Sequence, residues 1–319
     1  MYSTPILFLI FNRPAQTQIV FEAIRDIKPQ YLYIAADGPR ANKQGEAEQC
    51  AATRKMVLDG IDWDCEVFTL FRDENLGCGK AVSGAITWFF ENVEEGIILE
   101  DDCVAGKSFF TLCENLLAKY KDNEQIMHIG GSNFQNDTVA SDNSYYFSNY
   151  IHIWGWATWR RAWRSYQLNI PPAIDDKFQY LLKTKFSNSF ERTFWKNSFE
   201  TVGQGKIDTW DTQWIYNIYN HTGIGITSTV NLISNIGFGA DATHTTSFDN
   251  TVAEKPLKSI TAIQHPNKIK INQKADKYTF KKLYENGNNH FNQIRFKIGQ
   301  EFPWIKSLYL AAFGKQVKQ

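Results

Sequence analysis

The chain has 319 residues, 43% of them hydrophobic, and its 34 Lys plus Arg balance its 34 Asp plus Glu. That length supports one large core plus an extension, and a formal net charge of zero excludes the basic surface that a nucleic-acid partner calls for. The five cysteines (Cys50, Cys65, Cys78, Cys103, Cys113) are odd in number, irregularly spaced and free of any CxxC, which favours reduced thiols in the cytoplasm over a disulfide framework or a zinc site.

In chain order, Ile6–Phe11 reads as a strand, too short to span a bilayer and without a charged leader or cleavage site. Pro14–Ile27 carries apolar residues at helical spacing. Tyr31–Ala36 is a second strand, closed by Asp37-Gly38-Pro39. Glu46–Leu58 reads as helix, Glu66–Phe71 as strand, Gly79–Glu91 as helix and Gly96–Leu99 as strand. Ser108–Tyr120 is a further helix and Ile126–Ile129 a further strand. This alternation predicts an α/β fold with a mostly parallel sheet between layers of helices. The Trp- and Arg-dense stretch Ile151–Trp163 breaks the pattern. Ile174–Lys183, Ser189–Val202 and Thr212–Asn220 read as helices, and Gly223–Gly239 as strand and loop. From about Val252 the composition shifts to Lys, Asn and Gln, which sets residues 251–319 apart as a C-terminal extension.

Five segments carry candidate chemistry. Glu100-Asp101-Asp102 ends an apolar strand, and three adjacent carboxylates resist burial unless they hold something. Hard cations such as Mg²⁺ and Mn²⁺ prefer such oxygens and bridge them to phosphates; the bland alternative is a solvated acidic turn. Asn12-Arg13-Pro14 follows the first strand, where an Arg beside a helix N-terminus can meet a phosphate, or the segment is a plain capped turn. Asp37-Gly38 offers an acceptor to a base or a ribose, or is an ordinary turn. Arg72–Lys80 (RDENLGCGK) lets a backbone approach a ligand closely and places Lys80 there, though it is neither a Walker A loop nor a dinucleotide fingerprint. Asp208-Thr209-Trp210-Asp211 sets two carboxylates among aromatics, with Asp211 either a general base or a helix cap. Beyond these, the Gly-bearing stretch 235–244 ends in His244, a candidate ligand for a metal or a phosphate.

Taken in order, these motifs resemble the GT-A-fold glycosyltransferases, and most of all the N-acetylglucosaminyltransferase I type with its bacterial relatives. The matching elements are Asn12-Arg13, Asp37-Gly38, Gly77–Ala81, Ile97-Ile98-Leu99-Glu100-Asp101-Asp102 and Ser108-Phe109-Phe110. Trp154-Gly155-Trp156 and Trp210-Asp211 resemble the acceptor-side segments. The likeness covers about residues 5 to 245, roughly three quarters of the chain. It implies a catalytic domain over 1–250, its nucleotide-sugar half about 1–130 and its acceptor half about 131–250. Asp102 would bind a divalent ion, Mn²⁺ or Mg²⁺, with His244 a further ligand. Glu100 and Asp101 would hold the ribose or the donor sugar, Asp37 the uracil base and Arg13 the diphosphate, with Lys80 also on the donor. Asp211 would deprotonate the acceptor hydroxyl in an inverting displacement. The family's W-D-D-W is one residue longer here, Trp210-Asp211-Thr212-Gln213-Trp214, so Asp208 is the alternative base.

The resulting expectation is a metal-dependent glycosyltransferase. It would take a nucleotide-sugar donor and a glycan or lipid-linked glycan acceptor, in bacterial surface glycan synthesis. A sugar-phosphate nucleotidyltransferase ranks below it, because Asn12-Arg13-Pro14 lacks the glycines that such an enzyme wants after strand one; a non-catalytic carbohydrate-binding protein of the same fold is the third reading. Residues 303–313 read as a basic, aromatic, amphipathic helix. It would dock on the protein or lie peripherally on the inner face of the membrane.

Overall fold

The run Ile6-Leu7-Phe8-Leu9-Ile10 is apolar on both sides of its pleat, so it is stable only where both faces are covered. In the computed structural model, which describes residues 2–135, 142–238 and 255–285, it forms β1 (Ile6–Ile10), inside an eight-stranded sheet. Ile6, Phe8 and Ile10 enter the core on one face, and Leu7 and Leu9 enter the core on the other.

The first half runs α1 (Pro14–Ile27), β2 (Tyr31–Ala36), α2 (Glu46–Asp59), β3 (Glu66–Phe71), α3 (Cys78–Asn92) and β4 (Glu95–Glu100). Its strands pair in parallel in the order β3-β2-β1-β4. Next come β5 (Cys103–Ala105), α4 (Lys107–Tyr120), β6 (Ile126–Gly130), β7 (Tyr145–Ser148) and β8 (Trp156–Trp159). They are followed by α5 (Arg160–Trp163), α6 (Asp176–Lys185), α7 (Ser189–Gly203), α8 (Asp211–Asn220), β9 (Ile224–Ser228) and β10 (Ile233–Asn235). The sheet continues β4-β8-β6-β9-β7, with β8 antiparallel to both neighbours, and β10 pairs with β5 in a separate ribbon. Helices α1, α2 and α4 cover one face, while α3 and α5 through α8 cover the other. The α/β class and the mostly parallel sheet are as the sequence predicts.

Two parts differ from the expectation. Ile151–Trp163 supplies the antiparallel strand β8 and the short helix α5. Trp156, Trp159 and Trp163 are all buried, so Trp156, in a segment likened to the acceptor side, is core, as is Trp210. The reason is position: β8 lies between β4 and β6, where each pleat must fill an interior. Residues 255–285, read as the start of a separate extension, pack onto the sheet. Ile271 bridges Phe147 of β7, and α9 (Gln273–Phe280) with the following π-helical turn (Lys281–Glu285) buries Phe280 and Tyr284. Asp276 accepts bonds from the Ser148 hydroxyl (2.6 Å) and the Asn149 backbone N–H (3.1 Å). The helix expected at 303–313 lies outside the described residues. Among the described residues no helix is long and apolar enough to cross a membrane.

Candidate active site

Parallel pairing brings the carboxyl ends of β1, β2 and β4 to one edge of the sheet, where open α/β folds place ligands. The segment after β1 carries Arg13, the one after β2 carries Asp37, and β4 ends in Glu100 followed by Asp101 and Asp102. The antiparallel β8 begins at the same edge. Its last registered pair with β4 is Ile98 against Trp156.

Arg13 and the acidic triplet form one cluster. A single guanidinium nitrogen, Nη2, donates to Asp101 Oδ1 and, at 2.9 Å, to Asp102 Oδ2. Burial opposes the Arg13 charge, yet the two carboxylates prevail and hold its pKa above the ordinary value. Asp101 Oδ2 and Glu100 Oε1 are buried without a hydrogen-bond partner. Burial, then the charges of Asp102, Asp101 and Asp211, raises the Glu100 carboxyl well above the usual range. Burial also pushes Asp101 up to about 6, against the pull of Arg13. On the other side of Asp102, its carbonyl accepts from Ile236 N–H at 2.9 Å. The backbone there comes so close that a Cβ on Gly237 would lie 2.1 Å from Asp102 Oδ2.

The opposite wall joins the start of α3 to the segment before α8. Asp37 accepts from the backbone N–H groups of Leu76 (3.0 Å) and Gly77 (3.2 Å), so it shapes this turn. Gly77 has φ +80°, a left-handed conformation that favours glycine. Asp208 Oδ1 accepts from Gly79 N–H at 2.9 Å and caps the helix. A Cβ on Gly79 would lie 2.6 Å from that oxygen, so the glycine is what admits Asp208. Asp211 is the first residue of α8. Its Oδ1 accepts from the Thr212 N–H at 2.6 Å and from the Thr209 hydroxyl. Oδ2 makes no hydrogen bond among the described residues. Burial raises the Cys78 thiol pKa, and the charges of Glu100, Asp211, Asp208 and Asp37 raise it further, so all four carboxylates lie around one thiol.

The structure therefore brings together Arg13, Asp37, Glu100, Asp101, Asp102 and Asp211. Lys80 is exposed on the first turn of α3 and, among the described residues, makes no hydrogen bond or ion pair. His244 lies outside the described residues. Asp208 and Asp211 each take their hydrogen bonds on Oδ1, Asp208 from the start of α3 and Asp211 from Thr209 and Thr212. Sequence reasoning missed Thr209, which orients Asp211, and Gly237, which presses on Asp102. A glycine inside an otherwise β-forming stretch was the available signal for the second. Sequence gave no signal for Arg13 spanning two carboxylates, since the pairing joins residues 88 and 89 positions apart.

The carboxylates suit a hard cation. The donor set is all oxygen, two carboxylate oxygens are orphaned, and Arg13 is the one basic side chain bonded to the triplet among the described residues. No three His, Cys, Asp or Glu side chains converge on one point among the described residues.

No protein-family model matches the chain, and no curated protein matches its sequence. Solved structures give distant likenesses. The galactosyltransferase LgtC, in complex with donor and acceptor sugar analogs, aligns at 11% identity and a TM-score of 0.33, over 67% of this chain and 70% of its own. Mouse xyloside xylosyltransferase 1 aligns at 10% identity and 0.33, over 68% and 81%. UDP-glucose pyrophosphorylase complexed with UDP-glucose aligns at 10% identity and 0.35, over 70% and 90%. Likenesses this remote assign neither a family nor an activity, so the function rests on the site itself.

Proposed function

We propose that the protein is a glycosyltransferase that moves a sugar from a nucleotide-diphospho-sugar, UDP-sugars favoured, to an acceptor hydroxyl of a glycan or lipid-linked glycan. The observation that carries this is the meeting of Arg13, Glu100, Asp101 and Asp102 at one sheet edge, with Asp211 near enough to raise the Glu100 carboxyl. A binding protein has little use for so many crowded carboxylates, whereas displacement at an anomeric carbon uses both halves of the arrangement. Arg13 offers the diphosphate a planar, permanently charged fork. Asp37 fixes the turn against which base and ribose rest. Glu100 and Asp101 would hold sugar or ribose hydroxyls through their carboxylates. Asp102, with its neighbours, would hold a divalent ion, whose chemistry is to neutralise charge on the departing nucleoside diphosphate.

Asp211 acts on the acceptor. Its Oδ1 is fixed by Thr209 and Thr212, and Oδ2 is left to take the hydroxyl proton. Attack from that side with departure of the diphosphate on the other gives inversion, without a covalent intermediate.

The test is thermal shift with UDP, GDP and CDP, with and without Mn²⁺, on wild type, Asp102→Ala and Asp211→Asn. One nucleotide should stabilise wild type only with metal, and Asp102→Ala should lose the effect. Asp211→Asn should keep the shift but lose sugar transfer by roughly 10²–10⁴-fold, the usual worth of a general base. Absence of any nucleotide shift, with or without metal, would overturn the donor-site reading.

A further inference from the structure

We propose that Arg13 is the resident cation of the acidic site, and that a divalent ion and a nucleoside diphosphate bind cooperatively because Arg13 must pass from the carboxylates to the diphosphate. This rests on the donor-site reading above. One nitrogen, Nη2, is shared by Asp101 Oδ1 and Asp102 Oδ2, so the two oxygens converge on a single point. Hard cations take carboxylate oxygens at about 2.0–2.6 Å, and a charged N–H donor sits at about 2.7–2.9 Å. The guanidinium nitrogen and the ion therefore compete for one place.

The site nevertheless draws more positive charge than Arg13 supplies. The side chain of Asp101 is 7% exposed, and its Oδ2 is buried with no partner, as is Glu100 Oε1. Arg13 also has somewhere to go. Its Nε and Nη1 make no hydrogen bond among the described residues, and a diphosphate offers acceptor oxygens that suit a planar fork. Its backbone stays anchored, since the Arg13 carbonyl accepts from Thr17 N–H (2.9 Å) and Thr17 Oγ1–H (2.8 Å), so only the side chain turns. A diphosphate that captures the guanidinium uncovers two carboxylate oxygens for the ion. By reciprocity, an ion on those oxygens releases the guanidinium for the diphosphate.

The experiment measures Mn²⁺ dissociation constants of the full chain by electron paramagnetic resonance, with and without UDP, for wild type, Arg13→Met and Arg13→Lys. In wild type, UDP should tighten Mn²⁺ binding about tenfold or more, within the usual range of coupling. Arg13→Met should bind Mn²⁺ about tenfold tighter than wild type without UDP, and UDP should tighten it by a smaller factor than in wild type, the remainder coming from phosphate oxygens on the ion itself. Mn²⁺ alone should also raise the melting temperature of Arg13→Met more than that of wild type. Arg13→Lys, which keeps the charge but not the fork, should fall between them, and it serves if the methionine variant melts too low to titrate. Cooperative binding in wild type with variants that bind Mn²⁺ no tighter would overturn the role of Arg13 and leave the donor site standing. Mn²⁺ binding in wild type that ignores UDP would also overturn it. Failure of all three proteins to bind Mn²⁺, with or without UDP, would remove the metal site and this proposal with it.

Discussion

His128 on β6 provides a sharp test of how the interior is built. The ring is buried and stacks on Trp156, with centroids 5.1 Å apart. Its Nε2 lies 3.0 Å from the His152 carbonyl oxygen, which can only accept, so Nε2 carries the proton. The Trp214 indole N–H donates to Nδ1 at 3.3 Å, so Nδ1 is bare. Both bonds require neutral imidazole, and burial pushes the pKa down to about 3. An unfolded histidine titrates near 6.5. The folded value is the lower one, so on acidification the unfolded chain takes up the proton first. Stability present above pH 6.5 is lost as pH falls toward 3. Between pH 7.5 and 5.0 the loss from His128 is about 2 kcal/mol, and any folded pKa below about 4 gives nearly that figure. For a chain of this length that is on the order of 3 °C in melting temperature. Asp101 and Asp276, which burial raises to about 6, act with the opposite sign, since their stabilisation is lost as pH rises through that value. They are common to wild type and His128→Gln and cancel in the comparison. Thermal melts at both pH values should show wild type losing about 3 °C more than His128→Gln. Equal losses would refute the assigned tautomer and the burial argument together.

Two further outcomes probe the frame around the site. Gly79→Ala should destabilise by about 1–3 kcal/mol despite the better helix propensity of Ala, because its Cβ would meet Asp208 Oδ1 at 2.6 Å and the Thr209 carbonyl at 2.9 Å; thermal melts would show it, and an unchanged melt would mean the wall is not tight. Arg161→Lys should cost about 1–3 kcal/mol, since the guanidinium donates to the carbonyls of Lys121, Tyr120 and Ile126 and stacks on Trp159 at 4.3 Å, a set that a point-charge ammonium cannot serve; chemical denaturation measures it, and a neutral result would show that charge alone suffices there.

Much of the first half could be read from the sequence. Pro14–Ile27, Tyr31–Ala36 and Glu66–Phe71 have the observed bounds, because apolar periodicity and the flanking Pro, Gly and Asp residues act locally. The carboxylates of the site were legible for the same reason, since a polar triplet ending a buried strand conflicts with its surroundings. Strand β8 was not legible. IHIWGWATW is buried on both faces and so shows no period, and only its place between β4 and β6 makes it an antiparallel strand. The partners of Asp208 and Asp211 also waited for the fold. Asp208 precedes α8 and Asp211 begins it, and only the fold brings the Gly79 N–H of α3 to Asp208 Oδ1 while Asp211 Oδ1 takes the Thr209 hydroxyl and the Thr212 N–H. The sequence by itself determined which residues had to be inside, which strand ends had to carry charge, and hence the α/β class. Tertiary structure alone decided which charge meets which, because a bond between Arg13 and Asp102 depends on two strands lying side by side, and the register of a parallel sheet is set by packing across its faces rather than by either segment alone.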